Sequence, residues 1–574
     1  MKNSLIFFTF LIFSNIVLND QIKCQNQFND FPNLINDSTR FQALQNEFNR
    51  IDESYLIGYN NFESSFINNF GSPKFNFLFK PDSQIYLNSI FRINRLNYYE
   101  HNNYYLNFPF SKISYSQAYN EGQRLKIIHV KRHRYGSLAF DYDRLVSFGY
   151  LLNNLNRNRN FGLNFNLFHP NFPYSIEIKI QSSNLNLNLN GGLSNSQNFL
   201  SSSSENWELF PTKYNYIIFN QKQNKVQINN KFKFSKSKFI DYEISLTSDS
   251  IILNNLEEDT LFYPMRLDSI NNAVILNKNF THRLDFIKIN KKNKIKISMS
   301  HQLFQFNEDR INNLVTKFQY ISLRFNNQFD FSLSRLFNYD YQYQTNFFQN
   351  FDFLSFKSYL NIGISKLLPN LNFNLYTSNF DIFDRLVTNK FLKFGLKTKN
   401  LNFQSNFYKL SNFVFLDSHA VPNTFKNKIN VLQNTLEISL KKNNFHFLNK
   451  IIYQYSNRKF LSYPNLMLNS NIYWHGLIFN KNTESQIGIN TTFRGEFNGF
   501  EYSPIIGEFY FNQNINTASS LRTDIYLNIK VKTLKMYLIY ENITYHLLGN
   551  QFILSNYPMI RPNLRLSVIW NFYD

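Results

Sequence analysis

Apolar and polar residues alternate, one for one, along most of this chain. In SLAFDYDRL, Leu138, Phe140 and Tyr142 take turns with Ala139, Asp141 and Asp143. YSIEIKIQ sets Tyr174, Ile176, Ile178 and Ile180 against Ser175, Glu177, Lys179 and Gln181. The final stretch, RPNLRLSVIWNFYD, puts Leu564, Leu566, Val568, Trp570 and Phe572 on one side and Arg565, Ser567, Ile569, Asn571 and Tyr573 on the other. Successive side chains of an extended strand point to opposite faces, so this period predicts strands with one apolar and one polar face. The rhythm is clearest from residue 111 and returns in YLNIGIS, LNFNLYT, TLEISLK and DIYLNIKVK. Polar stretches separate the segments, and Gly191–Gly192 after LNLNLN reads as a turn.

Length decides what kind of sheet this is. Strands of soluble sheets run ~5–6 residues, whereas crossing the apolar band of a bilayer takes ~9–11. Several segments here continue for nine or more. A soluble sandwich or solenoid also alternates, but long segments, short turns on one side and longer connections on the other fit a membrane barrel. Aromatics near segment ends, Tyr473–Trp474 and Trp570–Phe572, suit the girdle that forms where bilayer meets water. The expected fold is all-β, a large antiparallel transmembrane β-barrel of about 20 strands, within a range of roughly 16–24. It is assigned to residues 75–574. Residues 25–74 lack sustained alternation and form an N-terminal lead-in; a periplasmic extension, a pore-occluding segment and a disordered tail all fit it.

Composition supports alternation over clustering. Aromatics make up 18% of the 574 residues, yet mean hydropathy is negative. Helical membrane proteins do not combine the two. The formal charge of +21 invites a nucleic-acid reading, but the basic residues are dispersed, which is the pattern of a solvated face. No nucleic-acid partner is expected. The start, MKNSLIFFTFLIFSNIVLNDQIKCQ, has an early Lys, an apolar run from Leu5 to Leu18 and then polar residues. That order predicts a secretory signal peptide over residues 1–24; a retained anchor is the alternative. Cys24 is the only cysteine, so no internal disulfide can form. No later segment offers the ~20 apolar residues of a spanning helix.

Catalytic and metal-binding patterns are missing from the sequence: there is no HExxH, no Cys/His cluster, no phosphate-binding loop and no GxSxG. An enzyme is not expected, nor is a cofactor or a metal. His129 and His133 share a strand face by even spacing and are expected to line a polar lumen rather than hold a metal. Asp141, Asp143, Glu177, Lys179 and Arg565 fall on the polar faces of their segments and are assigned to the pore lining.

Three stretches carry a resemblance to a known family. ISYSQAYNEGQRLKIIHVKR, then GSLAFDYDRLVSFGYLLNN, then FGLNFNLFHPNFPYSIEIKI running on to Asn190-Gly191-Gly192 are similar to the putative porins of flavobacterial-type outer membranes. Near the end, YSPIIGEFYFNQNI, DIYLNIKVKTLKMYLIYENI and YPMIRPNLRLSVIWNFYD resemble the last strands of those porins and of TonB-dependent receptor barrels. The resemblance covers about Ile113–Leu193 and Thr491–Asp574. The familiar terminal signal ends on an aromatic, whereas Tyr573 and Asp574 follow Phe572 here. No plug-like domain precedes the barrel in sequence.

The resemblance implies outer-membrane localisation in a Gram-negative cell envelope, with lipid and the β-barrel assembly machinery as partners. It makes Leu564, Leu566, Val568, Trp570 and Phe572 the closing strand and part of the aromatic girdle. The expected function is passive diffusion of small hydrophilic solutes, with anions favoured if enough Lys and Arg face the lumen. Two alternatives remain at this stage: a barrel for energised uptake or polypeptide export, and a soluble secreted β-protein acting on polymers.

The alternation makes a testable statement about faces. Ile178→Arg places a charge against lipid, at a cost of ~2–4 kcal/mol near the midplane, whereas Lys179→Ile only alters the lumen. The first should sharply reduce the heat-modifiable folded band on a gel and the second should leave it. Equal effects would refute the register.

Overall fold

The computed structural model describes residues 62–81 and 109–573, apart from 256–271, 368–385 and breaks of at most four residues. The expected signal peptide and residues 25–61 lie outside that set.

Among the described residues, 22 strands join into one closed sheet. The first eight are β1 (Phe110–Ala118), β2 (Gly122–His133), β3 (Gly136–Ser147), β4 (Asn156–Phe168), β5 (Tyr174–Leu189), β6 (Ile217–Ser235), β7 (Lys238–Asn255) and β8 (Asn272–Ile289). The middle seven are β9 (Asn293–Phe306), β10 (Asp309–Ser322), β11 (Asn327–Leu336), β12 (Tyr341–Asp352), β13 (Lys357–Leu367), β14 (Val387–Lys397) and β15 (Leu401–Ser411). The last seven are β16 (Ile429–Lys442), β17 (Phe445–Ser456), β18 (Leu466–Ile478), β19 (Thr483–Arg494), β20 (Ser520–Val531), β21 (Leu534–Glu541) and β22 (Asn563–Tyr573). Each strand pairs antiparallel with the next, and β22 pairs with β1 from Tyr573↔Phe110 to Arg565↔Ala118, which closes the ring. The strand number falls within the expected range.

The two ends of the barrel differ. At the end holding Phe110 and Tyr573 the strands are joined by turns of two to five residues. Asn443-Asn444 and Lys532-Thr533 are two-residue turns, and Asn443 and Lys532 take the positive φ such hairpins need. The other end carries the long connections, among them 190–216, 412–428, 495–519 and 542–562. These fold into small elements of their own: the helix Ser196–Ser201 and three hairpins, Phe413–Leu416 with Pro422–Phe425, Phe497–Ser503 with Glu508–Thr517, and Phe552–Leu554 with Tyr557–Pro558. Short turns on the periplasmic side and long loops outside are the usual arrangement of such barrels, so the long-loop end is called outer below.

Residues 62–81 show which face is concave. Ser64–Phe66 pairs with Lys74–Asn76 in a hairpin, through which the sequence-based division at 74/75 passes. Its tip is held beside β3 and β4, where the Asn69 amide donates to the carbonyls of Asn154 at 2.6 Å and Ser147 at 3.2 Å. Its tail reaches β15, where Phe79 lies edge-on to Tyr408 with centroids 5.8 Å apart. Strands β4 and β15 are half a circumference apart in the ring. Only the concave side can be touched at both places by one short segment. The face it touches, with Leu145, Gln454 and Arg494, is therefore the inner one.

With that face fixed, register assigns the rest. Asp141, Glu177 and Arg565 are on the inner face and buried, whereas Leu138, Leu566 and Trp570 on the outer face are 41%, 53% and 47% exposed. In the structure β22 pairs with β1, and its removal is a direct test of its role as the closing strand. Deleting Arg561–Asp574 would leave β1 and β21 as unpaired edges, each with several unsatisfied backbone groups at a few kcal/mol apiece in hydrocarbon. The heat-modifiable band should be lost, while truncation of residues 25–60 should keep it. A folded, membrane-embedded species from the Arg561–Asp574 deletion would overturn the assignment.

Candidate functional site

The inner wall is made of polar side chains that strand alternation points into the lumen. Asp143 on β3 accepts a two-pronged hydrogen bond from Arg124 on β2, with Nε to Oδ1 at 2.9 Å and Nη2 to Oδ2 at 2.6 Å. Asp141 is two residues away on the same face and buried. Glu177 on β5 lies 3.3 Å from Lys179 and accepts from Asn164 and Asn229 on the flanking strands. Register keeps the Asp141/Asp143 pair apart from Glu177, since Asp141 faces Gly162 and Glu177 faces Asn166 across β4.

Arg565 sits in a denser group at the seam. It bonds to Glu121 in the β1–β2 turn and to Glu541 on β21 at 3.1 Å, and Glu541 also meets Arg522 of β20 at 3.3 Å. Arg522 is paired with Asp524 at 2.8 Å. Burial pushes the Glu121 carboxyl up, against the pull of Arg565. Loss of one member of such a group leaves a buried charge uncompensated, at roughly 3–5 kcal/mol. The network thus fixes the outer half of the seam. Glu121, Arg522, Asp524 and Glu541 were not singled out from sequence, although Arg522 and Asp524 alternate with Leu521, Thr523 and Ile525 as inner-face residues would.

Above this wall the lumen is crossed and capped. The hairpin of residues 62–81 is anchored along its length. Glu63 lies 2.8 Å from Lys450, Gln454 donates to the carbonyl of Phe77 at 2.7 Å, and the Arg494 guanidinium lies 4.3 Å from the Phe77 ring centre. Phe75 and Phe77 join an apolar core with Phe497, Phe500, Tyr502, Leu554 and Tyr557 from the infolded loops. A second core of Leu151, Leu193, Phe199 and Trp207 binds the connections after β3 and β5 to Tyr545 and Phe552.

Glu501 ties three of these loops together. It accepts from Lys213 at 2.8 Å, Tyr510 at 2.6 Å, Asn512 at 3.0 Å and Asn556 at 2.7 Å. Burial opposes its ionisation, but Lys213 and these donors outweigh it and hold the carboxyl below its usual range. Gly192, at φ +82°, lets the chain approach Asn556, whose carbonyl receives the Leu193 N–H at 2.8 Å; a Cβ at Gly192 would stand 2.6 Å from that carbonyl oxygen.

The histidine expectation needs correcting. His129 is exposed and faces Ser111 and Phe140 across the ladders, on the same side as Ile113 and Ile127, and His133 shares that side. Even spacing placed the two together, but alternation alone does not say which face is inner. His446, Tyr473 and His475 line the lumen instead, with the first two rings stacked at 4.7 Å and His475 Nε2 2.8 Å from Glu484. No group of three or more His, Cys, Asp or Glu residues is arranged to hold a metal ion among the described residues, and no described helix is long and apolar enough to cross a membrane. Leu564 and Leu566 are exposed and Val568 and Phe572 half-buried, all on the outer face of β22 with Trp570. The Trp570 and Phe572 rings are 4.5 Å apart near the short-turn end.

Solved structures of similar fold include transporters and a siderophore receptor. The copper transporter OprC matches with a TM-score of 0.61 at 10% identity, over 81% of this chain and 80% of that one. A single-substitution mutant of the ferric enterobactin receptor PfeA of Pseudomonas aeruginosa gives 0.60 at 8% identity over 81% and 80%. The FrpB iron transporter of Neisseria meningitidis, F3-3 variant, gives 0.59 at 9% identity over 81% of each chain. At these identities the likeness is one of fold. No curated protein matches the chain. The model of the family described as Putative porin matches residues 50–574, and to that family the chain belongs.

Proposed function

We propose that this protein is an outer-membrane porin that passes small hydrophilic solutes by passive diffusion and favours anions. The observation that carries the anion preference is the lysine content of the inner face. Lys357 on β13 and Lys397 on β14 stand directly opposite one another across the ladder, with Lys393 four cross-strand pairs along on the same face. Lys294 and Lys317 continue the series on β9 and β10. Like charges directly opposite destabilise a sheet, and here they contribute a positive potential to the channel.

The outer face supports the membrane setting. Leu564, Leu566 and Trp570 are exposed there, and register repeats such residues around the ring. A soluble β-protein acting on polymers would leave that apolar belt in water, far beyond the few hundred Å² usual for an exposed patch. Residues 1–24 act in this reading as the export signal and β22 as the strand presented to the assembly machinery, with Trp570 and Phe572 in the interfacial girdle. Asp141, Asp143, Glu177, Lys179 and Arg565 belong to the polar lining, and transport needs no turnover chemistry. Energised uptake opened by a partner is the second reading, favoured by the segment 62–81 inside the barrel.

Selectivity is measurable with purified protein in a planar bilayer. Under a tenfold KCl gradient the zero-current potential should carry the sign of chloride permeation. The triple variant Lys357→Glu, Lys393→Glu, Lys397→Glu should reduce or reverse the preference several-fold. A cation-selective wild-type channel would refute this assignment.

A further inference from the structure

We infer that residues 62–81 are a fixed strut across the outer half of the lumen that sets the size limit of the channel. The inference rests on the transport reading above and goes beyond it by naming the limiting element.

The argument starts from width. Twenty-two strands spaced ~4.8 Å apart and tilted ~40° give a ring roughly 40–45 Å across its backbone. Inward side chains on both walls still leave a hole far wider than a small solute. Barrels of this size need a filled lumen if they are to remain a barrier. Asn69 and Ser72 close a turn, and from Ser72 to Phe79 is seven residues, a reach of at most ~23–25 Å, so the segment covers more than half of that span and the side chains at its two ends and on the walls cover the rest.

Both ends are fixed by different chemistry. The tip is held by amides: Asn69 on the carbonyls of Asn154 and Ser147, and Asn68 on the side chains of Asn154 at 2.9 Å and Asn190 at 3.1 Å. The tail is held by apolar packing of Phe79 with Phe391, Leu410, Ile429 and Val431. Between them Arg494, 5% exposed, donates to the carbonyl of Phe62 at 3.4 Å and covers the Phe77 ring.

Among the described residues, the strut and the infolded loops fill about two thirds of the outer mouth, from β14 through the seam to β5, and the inner residues Phe219 and Ile251 at the outer ends of β6 and β7 are buried as well. Among the described residues, the path left to solute is the remaining arc, along the inner faces of β8 to β13, where Lys294, Lys317 and Lys357 lie.

The test compares wild type with a variant whose residues 62–81 are replaced by a Gly/Ser linker of equal length, which keeps the chain connected. Heat modifiability on a gel first checks that each is a folded barrel. Single-channel conductance and exclusion of polyethylene glycols of graded size are then read in a planar bilayer. The linker variant should conduct several-fold more and admit larger polymers. A folded linker variant with unchanged conductance and cut-off overturns the strut and leaves the diffusion reading standing. A silent wild type with a conducting linker variant supports the strut and removes passive diffusion in favour of a gated channel. Silence from both, with folded bands, overturns both statements. If the linker variant fails to fold, the double variant Asn69→Ala, Phe79→Ala releases both ends of an intact hairpin. It should show enlarged, fluctuating conductance, and conductance identical to wild type would overturn the inference.

Discussion

Every feature of this molecule follows from one constraint: in hydrocarbon a backbone N–H or C=O without a partner costs several kcal/mol. A sheet meets that demand only by closing, and the closure here is the ladder between β1 and β22. The two strands come from opposite ends of the barrel sequence, so their pairing is the least local contact in the fold. The charges around Arg565 are best understood in that light. Glu121 precedes β2, Glu541 ends β21 and Arg565 lies on β22, so the group joins the two sides of the seam. Buried ion pairs are a poor source of net stability, but they discriminate strongly against wrong partners, because any mispairing leaves charge uncompensated. A seam that must form once, in the right register, gains from that discrimination.

Closure with 22 strands then creates a second problem, which is width. The ring encloses more space than its own side chains can fill, and the chain fills it from two sources. Long outer connections fold inward as hairpins with apolar cores, and a segment preceding the first strand crosses beneath them. The solved transport barrels share the ring at 8–10% identity, which fits a scaffold dictated by hydrocarbon. What fills the ring is free to differ.

How far the sequence was legible follows from what alternation can and cannot encode. The period of two gave the strands, the antiparallel barrel and the separation of Ile178 from Lys179 and of Leu566 from Arg565. It could not say which face is inner where alternation breaks: Ile127 and Ile128 stand side by side and inner-facing Ile128 and Val130 are apolar, so His129 and His133 lie on the outer face and not in the lumen. The seam group was invisible because Glu121 and Arg565 are far apart in sequence and meet only on closure. The hairpin at 64–76 was hidden for a related reason. Its three-residue strands are too short for a period, and its Phe residues bury against loops rather than against a continuous sheet face.

Strand β5 shows the same limit turned into information. In its first half Ile176, Ile178 and Ile180 face outward while Glu177 and Lys179 face inward. After Ser182 and Ser183 the pattern slips by one residue, so that Leu185, Leu187 and Leu189 are buried on the inner side and Asn184 is exposed on the outer. The partner strand does the same: Val226 is exposed opposite Ile180, whereas Phe219 and Ile217 are buried opposite Leu187 and Leu189. The backbone continues without interruption, so the slip reflects a change of surroundings and not of structure. Below it, lipid lies outside and water inside; above it, water lies outside and the apolar cap inside. At 16 and 19 residues, β5 and β6 exceed the ~9–11 that a bilayer requires. The excess is the part that leaves the membrane. A reversal of apolar phase within an unbroken strand thus marks, in sequence alone, the height at which the bilayer ends and the filled outer mouth begins.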